Sequence, residues 1–195
     1  MEENRLNFPV VLIGGSAGSI EVLVRLLPLL PQQAVYALVI VVHRKSGDDT
    51  TLEELVTFKS SLPVAEVEDK TQMIPGHLYV APADYHLLFE KNYTLSLDIS
   101  EKVNYSRPSI DVSFESAAYA YGDRAAAILL SGSNADGTEG LRAITKTGGT
   151  AVVQDPKTAE MPFMPQHAIE NGLGDFILGI EELAKFLENL NRGTT

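Results

Sequence analysis

The 195-residue sequence contains no cysteine and no tryptophan, and it has only 4 histidines. The absence of cysteine excludes disulfides, a thiol nucleophile and cysteine-bound metals. The histidines are scattered along the chain, and none of them forms the closely spaced pair typical of a zinc-binding helix. We therefore expect neither a metal nor another cofactor.

Positive charge and long apolar runs are also scarce. Lys and Arg number 15 against 26 Asp and Glu, which gives a formal charge of −11. Nucleic acids and anionic membranes both favour Lys and Arg, so neither is an expected partner. The longest apolar run, Ala34 to Val42, covers 9 residues and is too short to cross a bilayer. The first residues lack the regions of a signal peptide. These features predict a cytoplasmic protein without membrane insertion, folded as one domain over residues 1–195.

The most informative segment of the chain is residues 10–18, Val-Val-Leu-Ile-Gly-Gly-Ser-Ala-Gly. A β-branched run ends in Gly-x-Ser-x-Gly and gives way to a helical pattern, which is typical of a turn that exposes a nucleophilic serine. A dinucleotide fingerprint would need glycine at Ser16 and Ser19, and a P-loop would end in Gly-Lys-Ser/Thr. The pattern also fits a tight turn without chemistry, so Ser16 needs partners before it can be assigned a role.

Strand and helix patterns alternate along most of the chain. Strands are predicted at residues 9–14, 35–43, 77–81, 125–130, 150–154 and 176–178. Helices are predicted at residues 20–27, 50–59, 109–121, 137–146 and 180–191. Residues 86–90 and 94–99 read as an antiparallel hairpin. The predicted fold is α/β: a doubly wound, mostly parallel, Rossmann-like three-layer sheet with an added antiparallel β-hairpin.

Candidate partners for Ser16 are sought at the carboxyl ends of the strands, where sites of such sheets lie. His43 closes a strand at that edge and is the favoured base. Asp136 follows another strand and is the favoured acid, although Asp-x-x-Glu with Glu139 also fits a helix N-cap with a capping box. Asp155 is the second candidate acid and Asp84 the third. The order Ser, His, Asp differs from the Ser, acid, His order of α/β-hydrolases.

Six segments in this order resemble the catalytic domain of chemotaxis protein-glutamate methylesterases, the CheB type. The resemblance extends from about Pro9 to Leu187. The segments that carry it are Ile13–Gly18, His43, Pro75–Pro82, Arg107–Asp111, Ser131–Gly137 and Met164–Ile169.

The resemblance implies a serine esterase that hydrolyses glutamate γ-methyl esters on chemoreceptor cytoplasmic helices, with deamidation of glutamine as a further activity. It implies Ser16 as nucleophile, His43 as general base and acid, and Asp136 as orienting carboxylate. It also implies the backbone N–H groups of Ala17 and Ser133 as oxyanion donors. The family usually carries an N-terminal receiver domain, which these residues do not include, so either the protein is a stand-alone esterase or the sequence omits that domain. A separate regulatory receiver protein is a candidate partner beside the methyl-accepting receptor.

Three residues depart from the family pattern: Ser19 stands where glycine is frequent, Arg44 where an apolar residue is common, and Ser133-Asn134 where Met-Gly is usual. Asn134 tolerates left-handed backbone, which predicts that its turn is retained. The altered loop motivates an alternative function as a catalytically silent receptor-binding module. A serine hydrolase for another ester or amide is a third hypothesis, and a nucleotide-binding turn is the fourth.

Overall fold

A computed structural model describes residues 8–47 and 50–193 of the chain. The strands, labelled β1 to β10 in chain order, are Val10–Gly15, Ala37–Val42, Val64–Ala65, Thr71–Gln72, Leu78–Val80, His86–Phe89, Thr94–Asp98, Ala125–Leu129, Thr150–Gln154 and Phe176–Leu178. The helices, labelled α1 to α6, are Ser19–Leu26, Thr51–Lys59, Ile110–Tyr121, Thr138–Lys146, Phe163–Glu170 and Ile180–Arg192.

Seven strands form one parallel sheet in the order β10-β9-β8-β1-β2-β5-β3. Its strands are apolar on consecutive positions because both faces are covered. In β1, Val10 and Leu12 pack into the core on one face, while Val11 and Ile13 pack into the core on the other. This confirms the doubly wound three-layer prediction. All six strands predicted for this sheet are present.

The helices form a layer on each face of the sheet. Buried residues of α1, α2 and α6 share one core cluster, and those of α3, α4 and α5 share the other. A small antiparallel sheet, β4-β7-β6, packs on the second side, where Leu87 and Phe89 join the core of α3. The predicted hairpin is therefore confirmed, and the short strand β4 extends it through pairing of Thr71 with Leu95.

One helix, α5, was not predicted from the sequence. Proline disrupts helix interiors, and Pro165 lies within this helix. In the structure α5 begins at Phe163, so Pro165 lies in the first turn, where its missing N–H removes no intrahelical hydrogen bond. Burial of Met164 and Ala168 fixes the helix against the sheet.

Strand β1 lies between β2 and β8. The chain first adds strands on the β2 side of β1 and then crosses over to add β8, β9 and β10 on the other side. Sites in doubly wound sheets lie at such a switch point, beyond the carboxyl ends of the strands. Ser16 follows β1, His43 follows β2, and the loop to Asp136 follows β8. The topology thus brings three distant segments to one edge of the sheet.

We expect Gly140→Ala to destabilise the protein although alanine favours helices. A Cβ at Gly140 would lie 2.5 Å from Phe114 Cβ and 3.1 Å from Asp111 Cα, so α3 would have to move away from α4. Overpacking of this kind costs about 1–3 kcal/mol. Urea denaturation measures it. Gly179→Ala is the matched control, because the nearest atom to its Cβ is 3.6 Å away; equal stability of the two variants would refute the close-packing argument.

Candidate active site

Ser16 lies in a tight turn at the end of β1 whose backbone is held on both sides. Its N–H donates to the carbonyl of Ser131 at 2.9 Å. Its carbonyl accepts from the backbone N–H of Ser19 at 3.0 Å and from the Ser19 hydroxyl at 2.6 Å. Gly18 has a φ of 80°, a conformation that glycine adopts without strain. Ser19 therefore stabilises the turn at the position where the family often has glycine.

The His43 ring lies between Ser16 and Asp136. Its Nδ1 is 3.2 Å from Ser16 Oγ, and its Nε2 is 2.6 Å from Asp136 Oδ2. The imidazole is 10% exposed, whereas the Asp136 carboxylate is fully buried. A carboxylate acceptor at Nε2 favours the tautomer with its proton on that nitrogen, which leaves Nδ1 free to accept the serine proton. The structure brings together all three side chains selected from the sequence.

Five donors surround the Asp136 carboxylate. Oδ2 accepts from His43 and from the backbone N–H of Ile110 at 2.7 Å. Oδ1 accepts from Asn104 Nδ2 at 2.8 Å, from Ser109 Oγ at 2.9 Å and from the Asp111 N–H at 3.1 Å. Burial alone would raise the pKa of Asp136, but the hydrogen bonds from His43, Asn104 and Ile110 hold that pKa below its ordinary value. Asp136 is therefore held as an anion.

The N-cap alternative for Asp136 is wrong. The helix α4 starts at Thr138 with Gly137 as its N-cap residue at φ 96°, so the N-cap position itself supplies no side-chain hydrogen bond. Glu139 forms a salt bridge with Arg142 at 3.2 Å instead of completing a capping box. Asp136 accepts hydrogen bonds from the first N–H groups of α3, whose positive dipole end favours an anion.

Asp111, in the first turn of α3, caps α4 in return. Its Oδ1 accepts from the N–H groups of Gly137 at 2.9 Å and Gly140 at 2.7 Å, and its Oδ2 accepts from Asn104 at 2.8 Å. Asp136 therefore binds the N-terminus of α3, and Asp111 binds the N-terminus of α4. Burial and, to a smaller extent, the adjacent Asp136 carboxylate together raise the pKa of Asp111 to about 6, against the lowering effect of its hydrogen bonds.

This raised pKa predicts a pH-dependent stability. The carboxyl group has a pKa near 3.9 in the unfolded chain and about 6 in the native protein, so the native protein holds its proton more tightly. Its contribution to the free energy of unfolding is therefore fully present below pH 3.9. The stability that it contributes is then lost as the pH rises through about 6. We expect the free energy of unfolding of Asp111→Asn to fall less than that of wild type between pH 4 and 7, by roughly 3 kcal/mol.

Urea titrations at the two pH values measure this difference. Asp123→Asn, at an exposed position, is the control for loss of a charge. Identical pH dependence in the Asp111 variant and wild type would contradict the assignment.

The other candidate acids and histidines lie elsewhere. Asp155 accepts from the Lys157 N–H at 3.0 Å in a local turn, and Asp84 accepts from the Gly47 N–H at 3.1 Å. The three remaining histidines hydrogen-bond other groups: His77 to the Pro75 carbonyl, His86 to the Glu101 carbonyl and the Ser109 N–H, and His167 to the Thr138 hydroxyl.

The backbone N–H groups of Ala17 and Ser133 are unoccupied: within the described residues, neither of them donates a hydrogen bond. Their neighbours are engaged, since Gly132 N donates to the Met161 carbonyl at 3.0 Å. The Ser131 hydroxyl donates to the Ala17 carbonyl at 2.7 Å and thereby ties the two loops together. Both Ala17 and Ser133 are exposed beside the serine turn, so their amides are accessible to a bound oxygen.

The departures from the family pattern have local explanations. Asn134 does not adopt the expected left-handed backbone; its side-chain oxygen accepts from the Asp136 N–H at 3.0 Å, and Gly137 takes the positive φ. The loop turns through this side-chain hydrogen bond. Arg44 forms a salt bridge with Glu53 on α2.

Within residues 8–47 and 50–193, no group of three or more potential metal ligands is present. In the same part of the chain no helix is both long and apolar enough to span a membrane.

Sequence reasoning missed the residues that surround Asp136. Asn104 is not among the predicted site residues, and Ser109 and Asp111 belong to a predicted helix start and to the Arg107–Asp111 segment of the family resemblance, with no contact to Asp136 predicted. The available signal was Ser109-Ile110-Asp111, in which a serine N-cap precedes an acidic first turn. That pattern predicts a stable helix, but it does not reveal which distant carboxylate the helix binds.

A serine, a histidine and a buried aspartate hydrogen-bonded in series on a doubly wound sheet define the class of serine-hydrolase-like α/β proteins. The CheB methylesterase family model matches residues 11–187, and the chain belongs to this family.

Known relatives include proteins of similar length and proteins of which this chain matches only part. A putative protein-glutamate methylesterase/protein-glutamine glutaminase of Leptospira interrogans is 42% identical over 187 residues, covering 96% of this chain and 97% of that protein. The Thermotoga maritima protein-glutamate methylesterase/protein-glutamine glutaminase is 35% identical over 87% of this chain, which spans only 50% of that protein. The crystal structure of the T. maritima CheB methylesterase catalytic domain superposes with a TM-score of 0.90 at 32% identity, covering 95% of this chain and 100% of that one.

Proposed function

We propose that this chain is a protein-glutamate methylesterase that hydrolyses glutamate γ-methyl esters on the cytoplasmic helices of chemoreceptors. The observation that carries the proposal is the continuous connection from Ser16 Oγ through the His43 ring to the buried Asp136 carboxylate, at 3.2 and 2.6 Å. Membership of the CheB methylesterase family supports the substrate class. The enzyme acts in the cytoplasm, where the receptor helices are exposed.

Ser16 is the nucleophile in this mechanism, and His43 is the general base. His43 Nδ1 accepts the Ser16 proton as Oγ attacks the ester carbonyl, and the imidazolium then donates this proton to the leaving methoxide. Methanol departs and leaves an acyl-enzyme. Water attacks this intermediate with the same proton transfers, which releases the glutamate carboxylate and restores the Ser16 hydroxyl.

Asp136 orients the imidazole and stabilises its positive charge in both steps. The unoccupied amides of Ala17 and Ser133 donate to the oxyanion of the tetrahedral intermediate. Such a donor contributes about two to three orders of magnitude in rate. Both amides belong to short loops tied together through Ser131, so they are oriented before the substrate binds.

Glutamine deamidation is the second candidate activity, since relatives carry the name protein-glutamine glutaminase. The same residues serve it: His43 then protonates the leaving amide nitrogen, which departs as ammonia, in place of the methoxide. A separate receiver protein is the proposed regulatory partner.

Release of methanol from a methylated chemoreceptor cytoplasmic fragment tests the proposal. The wild-type protein is expected to release methanol at a rate proportional to enzyme concentration. If no methanol appears while Ser16 still reacts with a fluorophosphonate, the protein is a hydrolase for another ester or amide. If neither reaction occurs, the protein is a silent binding module and the proposal fails.

A further inference from the structure

Asn104 lies in a tight turn beside the candidate active site and contacts two carboxylates at once. Its single side-chain NH₂ group donates to Asp136 Oδ1 and to Asp111 Oδ2, both at 2.8 Å. An NH₂ group has two protons, and Asn104 donates one to each carboxylate. The contact with Asp111 belongs to α3, whereas Asp136 lies directly before α4.

The turn that carries Asn104 is strained. Val103 and Ser106 pair with each other through backbone hydrogen bonds of 3.2 and 3.0 Å, which leaves Asn104 and Tyr105 as the two central residues. Both have positive φ, 52° and 63°. Asparagine tolerates this backbone, but for tyrosine it is a rare conformation. Such strain persists only where surrounding contacts fix the chain, and it concentrates at functional sites.

The two side chains of the turn have different partners. Tyr105 is 97% exposed, whereas Asn104, also at the surface, extends its side-chain amide to the buried Asp136 carboxylate. Arg107, two residues after Tyr105, donates hydrogen bonds to the carbonyls of Ile99 and Ser100, both at 2.8 Å, and so holds the end of the turn. The strained turn therefore serves to insert the Asn104 amide between the carboxylates.

We propose that Asn104 is a positioning residue that acts through Asp136, because its amide separates two buried carboxylates and fixes the oxygen opposite the one bonded to His43. Without the amide, the Asp136 and Asp111 carboxylates, which repel each other, would lose the donor that they share, and Asp136 Oδ1 would keep only the hydrogen bonds from Ser109 Oγ and the Asp111 N–H. The inference rests on the proposed function for its kinetic consequences, while its geometric part concerns only the carboxylate pair.

Two titratable groups face Asp136 in the described structure: His43 at the end of β2 and Asp111 on α3. The Asn104 hydrogen bond lowers the pKa of Asp136, so its loss must raise that pKa. This change moves the acid limb of the reaction to higher pH.

Asn104→Gly tests the inference, because glycine keeps the left-handed turn and removes only the amide. Tyr105→Gly is the matched control, since it makes the same change at the next left-handed residue and leaves the amide in place. Asn104→Asp is isosteric and places a third carboxylate beside the other two. Carbon-13 NMR of the Asp136 carboxyl is measured from about pH 2 to 9, because the pKa of this group lies below its ordinary value, and the rate of fluorophosphonate labelling is measured from pH 4 to 9.

We expect the Asp136 pKa to rise by about one pH unit in Asn104→Gly and further in Asn104→Asp, and to stay unchanged in Tyr105→Gly. Labelling of Ser16 is expected to slow about tenfold in Asn104→Gly. An Asp136 pKa equal in Asn104→Gly and wild type would overturn the inference. The NMR readout does not depend on any substrate, so failure of the methylesterase proposal is recognised separately, by absence of methanol release with the pKa change intact.

Discussion

Methanol release from a methylated receptor fragment is expected to disappear when Ser16 is replaced by alanine. The Oγ atom is the nucleophile in the proposed mechanism, and water at the same place lacks both the covalent intermediate and the proton relay through His43. Loss of a serine nucleophile lowers kcat by about 10⁴-fold or more in enzymes of this type. The residual rate would be that of the oxyanion donors and of binding alone.

Stability should hardly change in this variant, which separates the chemical effect from a folding defect. Ser16 is partly exposed, and its hydroxyl contacts the His43 ring without bridging secondary-structure elements. We expect the free energy of unfolding to stay within about 0.5 kcal/mol of wild type. Ser61→Ala, at an exposed serine far along the chain from the turn, is the matched control and should release methanol normally. Substantial release by Ser16→Ala would exclude Ser16 as the nucleophile.

The second large effect is expected for Asp136→Asn, with kcat reduced roughly 10³- to 10⁴-fold. An asparagine NH₂ in place of Oδ2 would face the N–H of Ile110 and the His43 ring, and it would favour the tautomer with the proton on Nδ1. That tautomer directs a proton toward Ser16 Oγ and cannot accept one from it. His43 would then be present in the tautomer that cannot act as the base.

The opposite amide orientation is no better. An NH₂ in place of Oδ1 would face three donors, from Asn104, Ser109 and Asp111. Asp136→Asn should therefore also lose about 1–3 kcal/mol of stability, because buried donors are left without an acceptor. Asp155→Asn is the control, since Asp155 was the other candidate acid and lies in a local turn. If the Asp155 variant loses activity and the Asp136 variant keeps it, the assignment of the acid is wrong.

The parallel sheet could be predicted because its strands carry local information. Residues 37–42 are a continuous apolar run, and the period of the following helices distinguishes buried from exposed faces. The same alternation placed Ser16 and His43 at one edge of the sheet, since parallel strands share their carboxyl ends. Burial on both faces then fixed the order of the layers.

Contacts between segments far apart in the chain could not be predicted in this way. The Asp-x-x-Glu pattern at Asp136 is locally a capping box, and only the position of α3, which precedes it by about 25 residues, decides that Asp136 binds another helix instead. Asn104 carries no periodic or spacing signal at all. Its role depends on a turn of two left-handed residues, one of them a tyrosine, which sequence propensities disfavour.

The most direct test of the account is to locate the covalent adduct formed with a fluorophosphonate by peptide mass spectrometry. Wild-type protein should carry one adduct per chain, on Ser16, and His43→Gln should react at least about 100-fold more slowly because the proton acceptor is missing. An adduct on another residue, or equal labelling of the His43 variant, would contradict the claim that Ser16, His43 and Asp136 act as one unit.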